Sequence, residues 1–269
     1  MATCTLWNQK NYLLDIQYLV ATRISEYDIR KANISVLYSE GIISKDYYEY
    51  LYSADRMTRQ VEVGYMIKNN PEVGKTLANC IEKYRRLFFE SNNISDNDVL
   101  SIKNDAVFII NKLPNITKFG EVIEFVNKNN YSSYIRLQKK EVYFRSDIIN
   151  NTSQIDIKGI SDNKLLLHRD YILTVIADIM YYIEIGEIKS AIDYITGFYN
   201  KYIQRKLPIE YYRNFDDESK YIIHAGTGFY TLDYCNQYMI NVVSIETNLN
   251  IIRDLYGIIT AVYFNHKRH

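Results

Sequence analysis

The chain has 269 residues, enough to bury a substantial core as one large domain or two modest ones. Lysine plus arginine equals aspartate plus glutamate at 32 each, so no global field advertises a polyanionic partner, although a binding groove needs only local positive charge. Cys4, Cys80 and Cys235 stand far apart with no Cys/His cluster, which argues against a disulfide framework or a zinc site and fits a reducing cytoplasm.

The first residues, MATCTLWNQKNYLL, contain no long apolar run, and no stretch approaches the roughly 20 apolar residues of a membrane span. The expectation is a soluble cytoplasmic protein with no membrane partner. The 27 tyrosines and three prolines fit the residue usage of an AT-rich genome, a viral or phage one included, in which case the setting is the host cytoplasm.

Along the chain, LLDIQYLVATRISEYDI predicts two short strands joined near Ala21 and Thr22. The segment RKANISVLYSEG after Asp28 reads as a short helix or an irregular turn that stops at Gly41. Ser44 suits an N-cap for KDYYEYLY, and Ser53 for ADRMTRQVEVGYMIK. Asn69-Asn70-Pro71 then turns the chain into EVGKTLANCIEKYRRLFFES, so residues 54–91 form an antiparallel helical hairpin with Arg85-Arg86 on an exposed face.

Strand texture follows. SIKNDAVFIINK, EVIEFVNK, YSSYIRLQKKEVYFRSD and QIDIKGI each read as a strand, with turns at Leu113-Pro114-Asn115, Asn129-Asn130 and Asn150-Asn151. From His168 to Tyr202 the period is helical with a break near Gly186, and NLNIIRDLYGIITAVYF predicts a final helix. His168 and His224 have no second ligand at metal spacing, and HAGTGFY lacks the lysine of a phosphate loop and reads as a turn. The plan is α+β: an antiparallel sheet in two parts (1–44 and 94–160), a helical hairpin inserted between them (45–93), and a mostly helical region (161–269).

One constellation carries chemistry. Asp28 closes the strand-like EYDI, and Asp105 sits in an otherwise apolar strand across the helical insertion. A carboxylate in such a strand needs a cation, hydrogen-bond donors or a metal. Two carboxylates on neighbouring strands can share divalent ions that clamp the attacking and leaving oxygens of a phosphoryl transfer. Mg²⁺ suits them, because it takes few carboxylates and completes its shell with water and phosphates.

This order of elements resembles the palm, fingers and thumb of template-dependent DNA polymerases of families A and B. YDIRKANISVL resembles the first palm motif, KNDAVFI the second, residues 45–91 the fingers, and QKKEVYF the lysine-tyrosine strand that meets the primer. The resemblance implies Asp28 and Asp105 as catalytic metal ligands, Asn33 near the incoming sugar, Arg56, Arg59 and Lys68 toward the nucleotide, and Lys139, Lys140 and Tyr143 on nucleic acid. The second motif usually reads DTD or HDE, where this chain has Asn104 before a single Asp105. The alternative is a non-enzymatic structural or interaction protein, with a degenerate palm-like fold and a protein partner. In that case Asp105 pairs with a lysine or backbone N–H groups, Asp28 caps a turn, and Lys139-Lys140 marks a solvated edge strand.

Overall fold

The computed structural model describes residues 16–137, 140–147, 152–159, 172–212 and 242–266. In chain order they form β1 (Tyr18–Leu19), β2 (Ile24–Ile29), α1 (Ala32–Ser39), α2 (Lys45–Ser53), α3 (Arg56–Asn69), α4 (Pro71–Ser91), β3 (Val99–Lys103), β4 (Ala106–Ile110), β5 (Lys118–Phe119), β6 (Ile123–Tyr131), β7 (Ser133–Leu137), β8 (Lys140–Asp147), β9 (Thr152–Lys158), α5 (Ile172–Glu184), α6 (Ile188–Ile203) and α7 (Val242–His266). The fold is α+β with antiparallel pairing, as the sequence predicts. The strands make two sheets rather than one, with orders β3-β4-β2-β6-β5 and β1-β7-β8-β9. The chain divides accordingly into two compact units, one holding residues 23–130 and the other residues 16–22 and those from 131 onward.

In the first unit the helices are set by local chemistry. Ser44 accepts from the Tyr47 amide at 3.3 Å and starts α2. The cap of α3 is Asp55, not Ser53: its carboxylate takes the Thr58 amide at 3.0 Å and the Thr58 hydroxyl at 2.7 Å, while Ser53 ends α2 and bonds back to the Tyr50 carbonyl. Aspartate reaches two donors at once and out-competes a serine two residues earlier. Asn70 caps α4 with Pro71 at the first helical position, as expected.

The five-stranded sheet packs one face against these helices. Alternation along β2 sends Tyr27 and Ile29 into that core, where Phe88 of α4 lies 5.6 Å from the Tyr27 ring and stacks on Phe125 of β6 at 4.2 Å. The same alternation turns Glu26 and Asp28 to the opposite face.

SIKNDAVFIINK is two strands, not one. Lys103 pairs with Ala106, which leaves Asn104-Asp105 as a two-residue hairpin turn. Asn104 takes φ 56, a left-handed conformation that asparagine tolerates. Asn129 and Asn130, expected to turn, lie inside β6 because their side chains find partners in Glu26 and Ser25 of β2. The strands predicted on either side of Ala21 and Thr22 do not pair with each other: β1 joins β7, and β2 joins β4.

In the second unit β7, β8 and β9 form an antiparallel run with β1 on β7. Ile135, Leu137, Val142, Phe144 and Ile157 share a core with apolar residues of α5, α6 and α7. Gly186, at φ 80, makes the expected break between α5 and α6. Glu184 accepts from the Ser133 hydroxyl at 2.6 Å and ties the end of α5 to the sheet. Among the described residues no helix is long and apolar enough to cross a membrane.

Candidate metal centre

Two aspartates from distant parts of the chain meet on the first unit. β2 delivers Asp28 near its C-terminal end, and the register Tyr27↔Val107 brings the start of β4 alongside it. The turn immediately before β4 carries Asp105, so the β3-β4 hairpin hands its tip to the end of β2. The Asp28 side chain is near enough to help raise the pKa of the Asp105 carboxyl. Asp28 lies at the end of a strand, as the sequence predicts, whereas Asp105 sits in the turn before β4 and not within a strand.

Arg85 of α4 fixes that turn. It is buried, not exposed as expected, and its guanidinium donates to the Asn104 carbonyl at 2.5 Å. The neighbouring Arg86 does face outward, paired with Glu82 at 2.9 Å. An arginine is suited to this position because its planar, always charged fork holds a carbonyl without risk of losing its proton in the interior.

Lys128 approaches from β6, the neighbour of β2 on the other side, and its ammonium pairs with Asp28 Oδ2. Asp28 Oδ1 is buried and meets no hydrogen-bond donor. Burial first, and the Asp28 carboxylate second, push the Asp105 carboxyl up to about 7. The Asp105 carboxyl therefore titrates near neutral pH beside the Asp28–Lys128 ion pair.

A family model described as bacteriophage PBS1 gene 130 protein matches residues 1–261. The chain belongs to that family. Membership agrees with the phage origin that the tyrosine-rich, proline-poor composition pointed to. No curated protein matches the chain.

The donor set of this phage protein's acid pair is all oxygen, which suits Mg²⁺ or Mn²⁺ over the softer metals. The buried Asp28 Oδ1, which meets no donor, is an oxygen that such a cation would fit. Among the described residues no cluster of three or more His, Cys, Asp or Glu side chains has metal-binding geometry. Two carboxylates are nevertheless a normal protein contribution to magnesium, whose remaining ligands are water and phosphate.

The other sequence candidates are spread over the chain. Asn33 is exposed on α1, and Arg56 and Lys68 are exposed at the two ends of α3. Arg59 is half-buried and spends its guanidinium on the Ala54 carbonyl, bridging α2 and α3. Lys139 lies outside the described residues. Lys140 and Tyr143 belong to the second unit and are buried, at 5% and 0% exposed. Their strand β8 is internal, between β7 and β9, which corrects the reading of Lys140 as a solvated edge residue. The Tyr143 hydroxyl donates to Glu141 at 2.8 Å.

Lys128 and Arg85 were not singled out by the sequence. Lys128 meets its partner across 100 residues, so nothing local marks it, and Arg85 looks like any cation on an amphipathic helix. A cavity of about 310 Å³ on the same unit is lined by Arg30, Tyr48, Tyr52 and Lys118, among others, and includes neither aspartate.

Proposed function

We propose that this phage protein is a palm-type nucleotidyltransferase that acts on nucleic acid, with Asp28 and Asp105 as the ligands for Mg²⁺. The observation that carries the reading is the convergence of a strand-end aspartate and a hairpin-turn aspartate on one sheet, with a helical insertion between them in sequence. Bound magnesium would supply, in the two-ion form, Lewis-acid stabilisation of the attacking and leaving oxygens of phosphoryl transfer.

The chain's own residues have separate tasks in this reading. Asp105 loses its proton as the site loads, which its titration near neutrality makes inexpensive at cellular pH. Arg85 holds the turn so that Asp105 stays beside Asp28. Asn33, Arg56 and Lys68 are exposed on the same unit, and we assign them to the sugar and phosphates of the incoming nucleotide. Lys140 and Tyr143, being buried, are assigned no contact with the nucleic-acid backbone.

Two observations favour a second reading, a degenerate palm that binds or scaffolds without transferring. Asn104 stands where a further metal-site residue is usual, and Lys128 already pairs with Asp28. Primer extension with Mg²⁺ or Mn²⁺ separates the two. The enzyme reading expects incorporation by the wild type that is lost in both Asp28→Asn and Asp105→Asn. Equal incorporation by all three removes the proposed site, and no incorporation by the wild type leaves the scaffold reading.

A further inference from the structure

We infer that Lys128 is a resident surrogate cation: its ammonium occupies the acid pair in the metal-free protein, and a divalent ion must displace it from Asp28. This inference rests on the metal-site reading and adds the way in which the site is gated.

Three features carry it. First, the Lys128 ammonium sits on Asp28 Oδ2, one of the two oxygens of the carboxylate that a metal would use. Lysine and metal therefore compete for the same carboxylate. Second, the two partners are unequally anchored: the Asp28 side chain is 12% exposed, whereas that of Lys128 is 53% exposed. Asp28 is fixed by its strand, while the lysine reaches in from solvent on a flexible four-carbon stem and can withdraw without disturbing the core. Third, the residues around Lys128 are occupied elsewhere. Asn129 donates to Glu26 at 2.7 Å, and Asn127 and Asn130 bond each other. Glu26, two residues before Asp28 on the same face of β2, thus has an amide partner of its own.

The arrangement has two consequences. Without metal, Lys128 offsets the repulsion between two adjacent carboxylates and keeps the site assembled. With metal, the released ammonium remains tethered beside the site, where a phosphate-bearing ligand can take it up. Loading therefore requires either a high concentration of the free ion or a phosphate ligand that accepts the displaced lysine.

Mn²⁺ titration of the full chain at pH 8 tests this, using wild type, Lys128→Met, Lys128→Arg and Asp28→Asn. Removing an exposed competing cation should tighten Mn²⁺ binding about fivefold in Lys128→Met. Lys128→Arg, which keeps the charge, should bind no more tightly than wild type, and Asp28→Asn should bind more weakly. Unchanged or weaker binding by Lys128→Met, alongside lost binding in Asp28→Asn, overturns the surrogate-cation role and leaves the metal site standing. Wild-type affinity in Asp28→Asn overturns both.

Discussion

Replacing Asp105 by asparagine should stabilise the metal-free protein, and by an amount that depends on pH. In the unfolded chain an aspartate titrates near 3.9, as a general reference value; in the fold the Asp105 carboxyl is raised to about 7 by burial and by Asp28. The native state therefore holds more protons than the unfolded state between about pH 4 and 7. The stability contributed by the protonated carboxyl is complete below pH 4 and is lost as the pH rises through 7. A rise from 3.8 to about 7 corresponds to a ceiling of about 4 kcal/mol at 1.36 kcal/mol per unit, and residual exposure and relaxation reduce it to about 2–3 kcal/mol. Asparagine carries no charge to desolvate. Urea unfolding in EDTA should place Asp105→Asn within about 1 kcal/mol of wild type at pH 4.5 and about 2–3 kcal/mol above it at pH 8. A gap that does not change with pH, or a variant less stable than wild type at pH 8, would refute the raised titration of Asp105.

Three further outcomes follow from the same structure. Apparent Mn²⁺ affinity should rise about tenfold per pH unit below about 7 and level off above it, because one proton leaves Asp105 as the ion binds; calorimetry across pH measures this. Arg85→Met should leave the Asn104 carbonyl without its donor, at a cost of about 1–3 kcal/mol in urea unfolding, and weaken Mn²⁺ binding about tenfold by loosening the turn. Asp55→Ala should lower the thermal unfolding midpoint more than Ser53→Ala does, because only Asp55 caps α3; thermal unfolding of the two variants would resolve this.

The parts of the fold that announce themselves are those fixed by near neighbours. Pro71 after Asn70, Ser44 before KDYYEYLY and Gly186 between two helical runs each mark a boundary by a backbone property that no tertiary contact has to supply. The α+β plan was legible because a helical hairpin stands between two runs of strand texture, and the chain does return to the same sheet after it. The hairpin turn at Asn104-Asp105 was missed because its flanks are apolar enough to read as one strand, and the only turn signal is an asparagine without a glycine. The division into two sheets was hidden for a different reason: Ser132 and Ala21 carry no linker composition, and a strand's choice of sheet depends on partners far along the chain. The same distance hides Lys128 from any local pattern, while burial of Arg85 and Lys140 reverses the usual expectation for a cation.

If Asp28 and Asp105 hold one divalent ion between them, as proposed, binding must depend on both. Mn²⁺ binding by Asp28→Asn, Asp105→Asn and the double variant, followed by the loss of the free-ion electron paramagnetic resonance signal, tests it most directly. Each single substitution should weaken binding by about tenfold or more, and the double variant should fall well short of the product of the two losses, as expected for ligands of a shared ion. Affinities equal to wild type, or losses that multiply as for independent sites, would contradict it.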